Sequence, residues 1–199
     1  LHKPSVVVVG GYDTANLPEA DYGSQRGGVR RWVSRTIMHN ATHLVVNSES
    51  ARRETERNVG ISRDKITVIY HGITPLPMGS TQNREPIILT VGAVWEENLL
   101  RKGLLPFVQT AQYLPEKQFI LVGKWHDTSI ETLRASAGKN VTLAGYLPDA
   151  DLEALYMRSA VYVQASLHEG FGLSVAEAMS AGCIPVVTRA GALPEVVGD

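Results

Sequence analysis

Eight short runs of β-branched and other apolar residues recur along the chain, and helix-length stretches separate most of them. The runs are SVVVVG (5–10), HLVVNS (43–48), KITVIY (65–70), PIILTVG (86–92), QFILVG (118–123), NVTLAG (140–145), AVYVQA (160–165) and CIPVVT (183–188). They are nearly continuous in apolar residues rather than alternating, which predicts strands buried on both faces of a parallel sheet. Helices are predicted over 28–40, 49–59, 103–113, 129–137, 150–158 and 173–181. Alternation of this kind builds βαβ units, so the expected fold class is α/β with doubly wound parallel sheets.

Residues 71–86, HGITPLPMGSTQNREP, interrupt the rhythm with three prolines and two glycines and read as a linker. About three strands precede it and about five follow. The first group is too small for a complete α/β domain. The expected organisation is therefore the C-terminal part of one Rossmann-like domain (1–72), a linker (73–86) and a second Rossmann-like domain (87–199), with both sheets incomplete and the second domain truncated at its end. The chain starts at Leu1 rather than Met, so it reads as an internal piece of a longer protein.

Composition adds exclusions. With 199 residues, 44% hydrophobic and 20% charged, the chain can bury a real core. A net charge of −1 argues against nucleic acid as a partner. The lone Cys183 rules out an intrachain disulfide framework or a multi-cysteine metal site and fits a cytoplasmic setting. No apolar run approaches the roughly 20 residues of a membrane span, and no signal peptide is visible.

Open α/β sheets bind ligands beyond the carboxyl ends of their strands. Here strands end at Gly92, Gly123, Gly145 and Ser166. After the last of these comes HEGFGLSVAEAMSAG (168–182), a turn and then a helix, with Glu169 and Glu177 at its two sides. A helix N-terminus offers unpaired N–H groups and a positive dipole end, a site suited to phosphate. Ser174-Val-Ala-Glu177 also fits a capping box, in which Glu177 only satisfies a backbone N–H. A glycosidase-type acid/base pair is a third reading and the least favoured, because nothing in the sequence sets the carboxylate separation. A second candidate is Arg101-Lys102-Gly103, read as opening the helix after the strand that ends at Gly92. Cations favour helix C-termini, so a pair at a helix start points to a bound anion; an ordinary solvated pair is the alternative.

HEGFGLSVAEAMSAG resembles the E-x7-E motif of family 4 glycosyltransferases, which have the GT-B fold. VYVQAS before it and CIPVVTRAGALPEVVGD after it agree. So do VIYHGIT, ILTVGAV followed by RKG, FILVG, and LAGYLPDADLEALYMRSA, in the expected order. The resemblance covers nearly the whole chain and is most specific over 161–199. It implies a retaining, metal-independent transfer of a sugar from a UDP- or GDP-sugar donor to a glycan, lipid-linked or small-molecule acceptor. The donor would bind mainly to the C-terminal domain and the acceptor mainly to the N-terminal one. By resemblance Glu177 would hydrogen-bond the ribose, and Glu169 would lie near the donor sugar. Backbone N–H groups from Gly170, Phe171, Gly172, Leu173 and Ser174 would meet the sugar and diphosphate. Lys102 would neutralise the diphosphate, helped by Arg101, and the backbone at Tyr146 and Leu147 would hold the base. No metal-ligand cluster is recognised, and no cofactor is expected.

The chain also departs from the family pattern. Ala93 follows Gly92 where many relatives carry Arg. GGYDT follows the first strand where many carry His, which leaves Asp13 as the nearest polar candidate or a plain turn residue. His71 stands where Asn is common and is read as serving the turn. Arg26, Arg30, Arg31 and Arg35 surround Trp32 in RGGVRRWVSR. A solvated face or a subunit contact is the favoured reading there, and a peripheral membrane contact the alternative. Three other functions stay open. One is a nucleotide-sugar-binding module without transfer, as the piece alone would be. Another is an NAD-dependent dehydrogenase, although no G-x-G-x-x-G follows the early strands. The third is a glycan phosphorylase, which shares the GT-B architecture and would need pyridoxal phosphate.

Overall fold

The computed structural model describes residues 3–76 and 84–198. Part of the 73–86 linker expectation, residues 77–83, lies outside the described residues. The chain divides into two compact units. Unit 1 holds Leu1–Gly72, His168–Gly172 and Ala190–Asp199; unit 2 holds Ile73–Leu167 and Leu173–Arg189.

Unit 1 contains a three-stranded sheet in the order β1 (Val6–Val9), β2 (His43–Val46), β3 (Ile66–Val68), all parallel. A short helix α1 (Gly11–Thr14) follows β1, α2 (Gly28–Asn40) crosses to β2, and α3 (Glu49–Glu54) follows β2. The predicted 49–59 helix is α3 continued by a π-helical turn, Thr55–Val59, which ends at Gly60 in the left-handed region. The core of this unit gathers Val9, Met38, Leu44, Val46, Ala51, Val59 and Ile66.

Unit 2 carries a five-stranded parallel sheet. Its strands are β4 (Glu85–Val91), β5 (Gln118–Val122), β6 (Val141–Gly145), β7 (Ser159–Gln164) and β8 (Ile184–Val187), in the spatial order β6-β5-β4-β7-β8. The connecting helices are α4 (Glu96–Arg101), α5 (Leu104–Thr110), α6 (Ile130–Ser136), α7 (Asp149–Arg158) and α8 (Leu173–Ser180); α9 (Leu193–Val197) belongs to unit 1. The order runs outward from β4 in both directions, so the sheet is doubly wound and its direction reverses between β4 and β7. The β4–β7 register shifts between Glu85 and Ile88, where Pro86 has no N–H to give the ladder. Leu89, Leu121 and Tyr162 are fully buried, as expected for strands covered on both faces. Two parallel doubly wound arrangements flanked by helices agree with the α/β, GT-B-like expectation.

All eight predicted strands form within two residues of their expected ends. The short helices α1, α4 and α9 escape the pattern, because four to six residues show too little of a 3.6-residue period.

Candidate functional site

In unit 2 the switch between β4 and β7 brings two loops together. Leu167 N–H donates to the Arg101 carbonyl at 2.8 Å. Gly103 packs its backbone onto Ala165, so closely that a Cβ there would overlap the Ala165 carbonyl, and its φ of +67° lies in the left-handed region. Glycine alone meets both conditions without strain. The segment 101–103 is thereby pinned against the end of β7.

The expectation that Arg101 and Lys102 open a helix is corrected here. Arg101 is the last residue of α4 and Lys102 its C-cap, while Gly103 precedes α5. Cations are favoured at a helix C-terminus, so their position needs no bound anion to explain it. Arg101 is buried, and its Nε and Nη2 donate to Asn98 Oδ1 at 3.1 and 2.6 Å. Asn98 in turn donates to the Ala93 carbonyl at 2.7 Å. Arg101 therefore braces the loop after β4, and Lys102 is the half-buried cation at the end of that loop.

The opening of α8 also differs from the capping-box reading. Ser174 is the second residue of α8, inside the helix. Ser174 and Glu177, one turn apart, both reach the phenol of Tyr156 on α7. The Tyr156 hydroxyl donates to Glu177 Oε2 at 3.3 Å, and Ser174 lies near the same phenol. Glu177, Tyr156, Asp149, Glu153 and Thr74 line a cavity of about 230 Å³. Burial, then the nearby Asp149 and Glu153 carboxylates, push the Glu177 carboxyl above its ordinary range, while the Tyr156 hydrogen bond pulls the other way. Burial likewise holds the Tyr156 phenol protonated.

Tyr146, 69% exposed, and the half-buried Leu147 follow β6. Beside them, Trp125 after β5 packs against Gly145 and carries the Arg134 guanidinium 4.8 Å from its ring centroid. Asp127 ties the loops after β4 and β5 together, accepting from Glu96 N–H at 3.0 Å and Ser129 N–H at 2.9 Å.

The motif's first five residues, His168–Gly172, pack within unit 1. His168 Nε2 lies 3.0 Å from both carboxylate oxygens of Glu54, and Thr14 Oγ1 donates to Glu54 Oε2 at 3.1 Å. A Cβ on Gly11 would stand 2.9 Å from Gly170 Cα, so the two glycines touch backbone to backbone. Ser48 caps α3 by accepting from Ala51 N–H at 2.9 Å, and the same hydroxyl donates to the Gly170 carbonyl at 2.8 Å. The Phe171 ring meets His71 edge-on at 5.3 Å and Tyr70 at 6.3 Å. Glu169 is half-buried, and its carbonyl accepts from Ala192 N–H at 2.9 Å. Glu195 accepts from Glu49 N–H at 2.7 Å and Ser50 N–H at 3.1 Å, satisfying the start of α3.

Several of these residues escape the sequence reading. Glu54 is half-buried on α3, and nothing in the local pattern separates it from the helix's other glutamate, Glu49. Tyr156 is buried in α7 and looks like core; only its hydroxyl distinguishes it. Asp13 is a cap, accepting from Gly10 N–H at 2.9 Å. In the basic segment, Arg26, just before α2, pairs with Asp21; on α2, Arg30 donates to the Tyr12 hydroxyl, and Arg35 donates to the Asn58 and Val59 carbonyls. Trp32 is 69% exposed.

Two metal-compatible spacings also escape that reading. His39 and His43 spell H-x-x-x-H, but one ends α2 and the other starts β2, bonded to the Val59 carbonyl and Thr67 Oγ1 respectively. Asp149-Ala150-Asp151 spells D-x-D in the first turn of α7. Among the described residues no group of three or more His, Cys, Asp or Glu is placed to hold a metal ion, and no helix is long and apolar enough to cross a membrane.

Known proteins resemble this chain in sequence and in fold. The chain is 52% identical over 181 residues to the MMP alpha-(1->4)-mannosyltransferase of Mycolicibacterium hassiacum, covering 85% of this chain and 44% of that protein. It is 38% identical over 108 residues to the O-antigen chain mannosyltransferase B of Escherichia coli, covering 50% of this chain and 28% of that one. The chain thus spans less than half the length of these curated relatives. Among solved structures, Anabaena HepE in complex with UDP and glucose matches with a TM-score of 0.78 at 19% identity, over 97% of this chain and 55% of that one. A sucrose-phosphate synthase from Thermosynechococcus elongatus matches with a TM-score of 0.76 at 24% identity, over 94% and 51%. Residues 3–75 match the family described as Glycosyltransferase Family 4. Residues 85–199, more than half of the chain, match Glycosyl transferases group 1, and the chain belongs to that family of GT-B glycosyltransferases.

Proposed function

We propose that the chain is part of a retaining, metal-independent glycosyltransferase that takes its sugar from a nucleotide-sugar donor. The observation that carries this reading is the switch point of unit 2. Lys102 stands in the loop after β4 and the α8 N-terminus follows β7, the two neighbouring strands at which the sheet reverses. Leaving-group chemistry explains why such a pair matters. Breaking the sugar–phosphate bond leaves negative charge on the nucleoside diphosphate. A cation and a helix dipole already aimed at that charge lower the barrier.

In this reading Glu177 accepts hydrogen bonds from the ribose hydroxyls, and the backbone at Tyr146 and Leu147 receives the base. Lys102 faces the diphosphate, with Arg101 supporting its loop. The N–H groups of Leu173 and Ser174 on α8 serve the phosphates; the roles that the family resemblance gives the backbone of Gly170, Phe171 and Gly172, and Glu169 toward the donor sugar, belong to the same proposal. The domain division 1–72, 73–86 and 87–199 belongs to the same proposal. The 52% identity to a mannosyltransferase favours a nucleotide-linked mannose as donor and a carbohydrate as acceptor. Cys183 is buried and unpaired, in keeping with a cytoplasmic site of action.

Calorimetric titration with UDP, GDP, GDP-mannose and UDP-glucose tests the donor. One diphosphate should bind, its nucleoside should bind far more weakly, and Lys102→Ala should erase most of that difference. Absence of binding by both diphosphates, or a Lys102→Ala variant that treats diphosphate and nucleoside as the parent does, overturns the reading. A transfer assay on the chain and on the longer protein separates an enzyme from a binding module.

A further inference from the structure

The cavity beside Glu177 has one buried polar side chain that the proposed chemistry leaves unused. Tyr156 is 1% exposed, and its ring packs against Tyr162 with centroids 6.0 Å apart. Its backbone is anchored as well. Its carbonyl accepts from Arg84 Nη1 at 3.3 Å and from the Cys183 thiol at 3.1 Å. The same guanidinium nitrogen donates to the Ser159 carbonyl at 2.6 Å. A hydroxyl carried on so constrained a ring has one place to be.

That place is against Glu177. Because Ser174 and Glu177 are three apart on α8, both face Tyr156, and the phenol donates to Glu177 Oε2 at 3.3 Å. That bond engages Oε2 of the Glu177 carboxylate and leaves Oε1 outside it. We infer that Tyr156 is a positioning residue for the Glu177 carboxylate, fixing Oε2 so that the remaining lone pairs are presented to the 2′- and 3′-hydroxyls of a ribose. This rests on the ribose-binding role proposed for Glu177.

Three physical points support it. A glutamate has three rotatable side-chain bonds, and holding it in one rotamer before the ligand arrives removes an entropy cost from binding. A carboxylate offers about four lone-pair sites, so one donated bond leaves room for a diol. A neutral phenol holds the carboxylate without cancelling its charge, whereas Lys or Arg in its place would compete with the ligand as a full cation. Asp149 and Glu153 on the same cavity wall add no competing donor.

The test compares UDP and GDP with their 2′-deoxy counterparts by calorimetry, on the parent protein, Tyr156→Phe and Glu177→Gln. The parent should prefer the ribonucleotide. Tyr156→Phe keeps the ring, and should lose about tenfold in ribonucleotide affinity, the order of one hydrogen bond to a charged group, while deoxynucleotide affinity changes little. Equal weakening of both sugars would show a merely structural role and overturn the inference, as would no change. If Glu177→Gln keeps the full ribose preference, the ribose reading itself is wrong. If it loses the preference and Tyr156→Phe does not, only the positioning role is wrong. Should Tyr156→Phe fail to fold, fluorotyrosine at position 156, a stronger donor on the same ring, should shift ribonucleotide affinity selectively; no selective shift overturns the inference.

Discussion

His168 Nε2 sits 3.0 Å from each carboxylate oxygen of Glu54, and both side chains are nearly sealed from water, at 7% and 12% exposure. The two residues are 114 positions apart in the chain and close together in unit 1. Thr14 adds its hydroxyl to the same carboxylate. Removing either partner leaves buried polar atoms unmatched. Glu54→Gln and His168→Phe should each lower stability by about 1–3 kcal/mol in urea unfolding. The double variant should recover more than about 0.5 kcal/mol of the summed loss. Strict additivity would show that the pair is not coupled.

Gly11 and Gly170 approach through bare backbone. Alanine at Gly11 would bring its Cβ to 2.9 Å from Gly170 Cα and 3.1 Å from Gly170 N. Backbone cannot swing aside as a side chain does, so Gly11→Ala should cost about 1–3 kcal/mol. Gly10→Ala is the matched control, because its nearest neighbour would be Asp13 Oδ2 at an ordinary 3.5 Å. Equal melting temperatures for the two variants would contradict the close approach.

Arg84 gathers carbonyls from three places. Its guanidinium donates to Tyr156 and Ser159 at the end of α7 and to Ala181 after α8. A lysine ammonium cannot reproduce that fork. Arg84→Lys should therefore destabilise by roughly 1.5–3 kcal/mol, the scale of losing hydrogen bonds to a charged donor. It should also weaken ribonucleotide binding, since α7 carries Tyr156. Thermal unfolding and calorimetry on one preparation check both; a stable variant with parental binding would count against the clamp.

Glu177 predicts a pH dependence whose sign follows from its raised pKa. Burial leads, with Asp149 and Glu153 adding like-charge repulsion and Tyr156 opposing them. Between the ordinary carboxylate value and the raised one, the native state holds a proton that the unfolded chain has released. Stability therefore falls as pH rises through that window and is regained on acidification. Ribonucleotide affinity runs the opposite way, because the protonated acid loses acceptor capacity. Melting curves of the parent and Glu177→Gln from pH 4.5 to 7.5 should converge toward the acid end. Parallel curves would contradict a raised pKa.

Much of the architecture was legible without coordinates. Apolar runs such as PIILTVG and QFILVG became β4 and β5 because strands buried on both faces need continuous apolar sequence. GVRRWVSRTIMHN became α2 over its full predicted span. The site was less legible. Arg101 and Lys102 read from the sequence as a helix start, because α4 is only six residues long and has no readable period, whereas the structure puts them at a helix end. Ser174 and Glu177 carry a capping-box spacing, but the helix starts one residue before Ser174, so both turn to Tyr156.

The sequence by itself determined the alternation of strands and helices, the parallel sheets and the family, because these depend on periodicity and on motifs read within a few dozen residues. Tertiary structure alone decided which polar groups meet. Glu54 with His168, Ser48 with Gly170, and Tyr156 with Glu177 are pairs separated by 114, 122 and 21 residues. No local pattern encodes such pairs. A buried donor must find an acceptor, but which acceptor lies within reach is set by how the strands and helices pack.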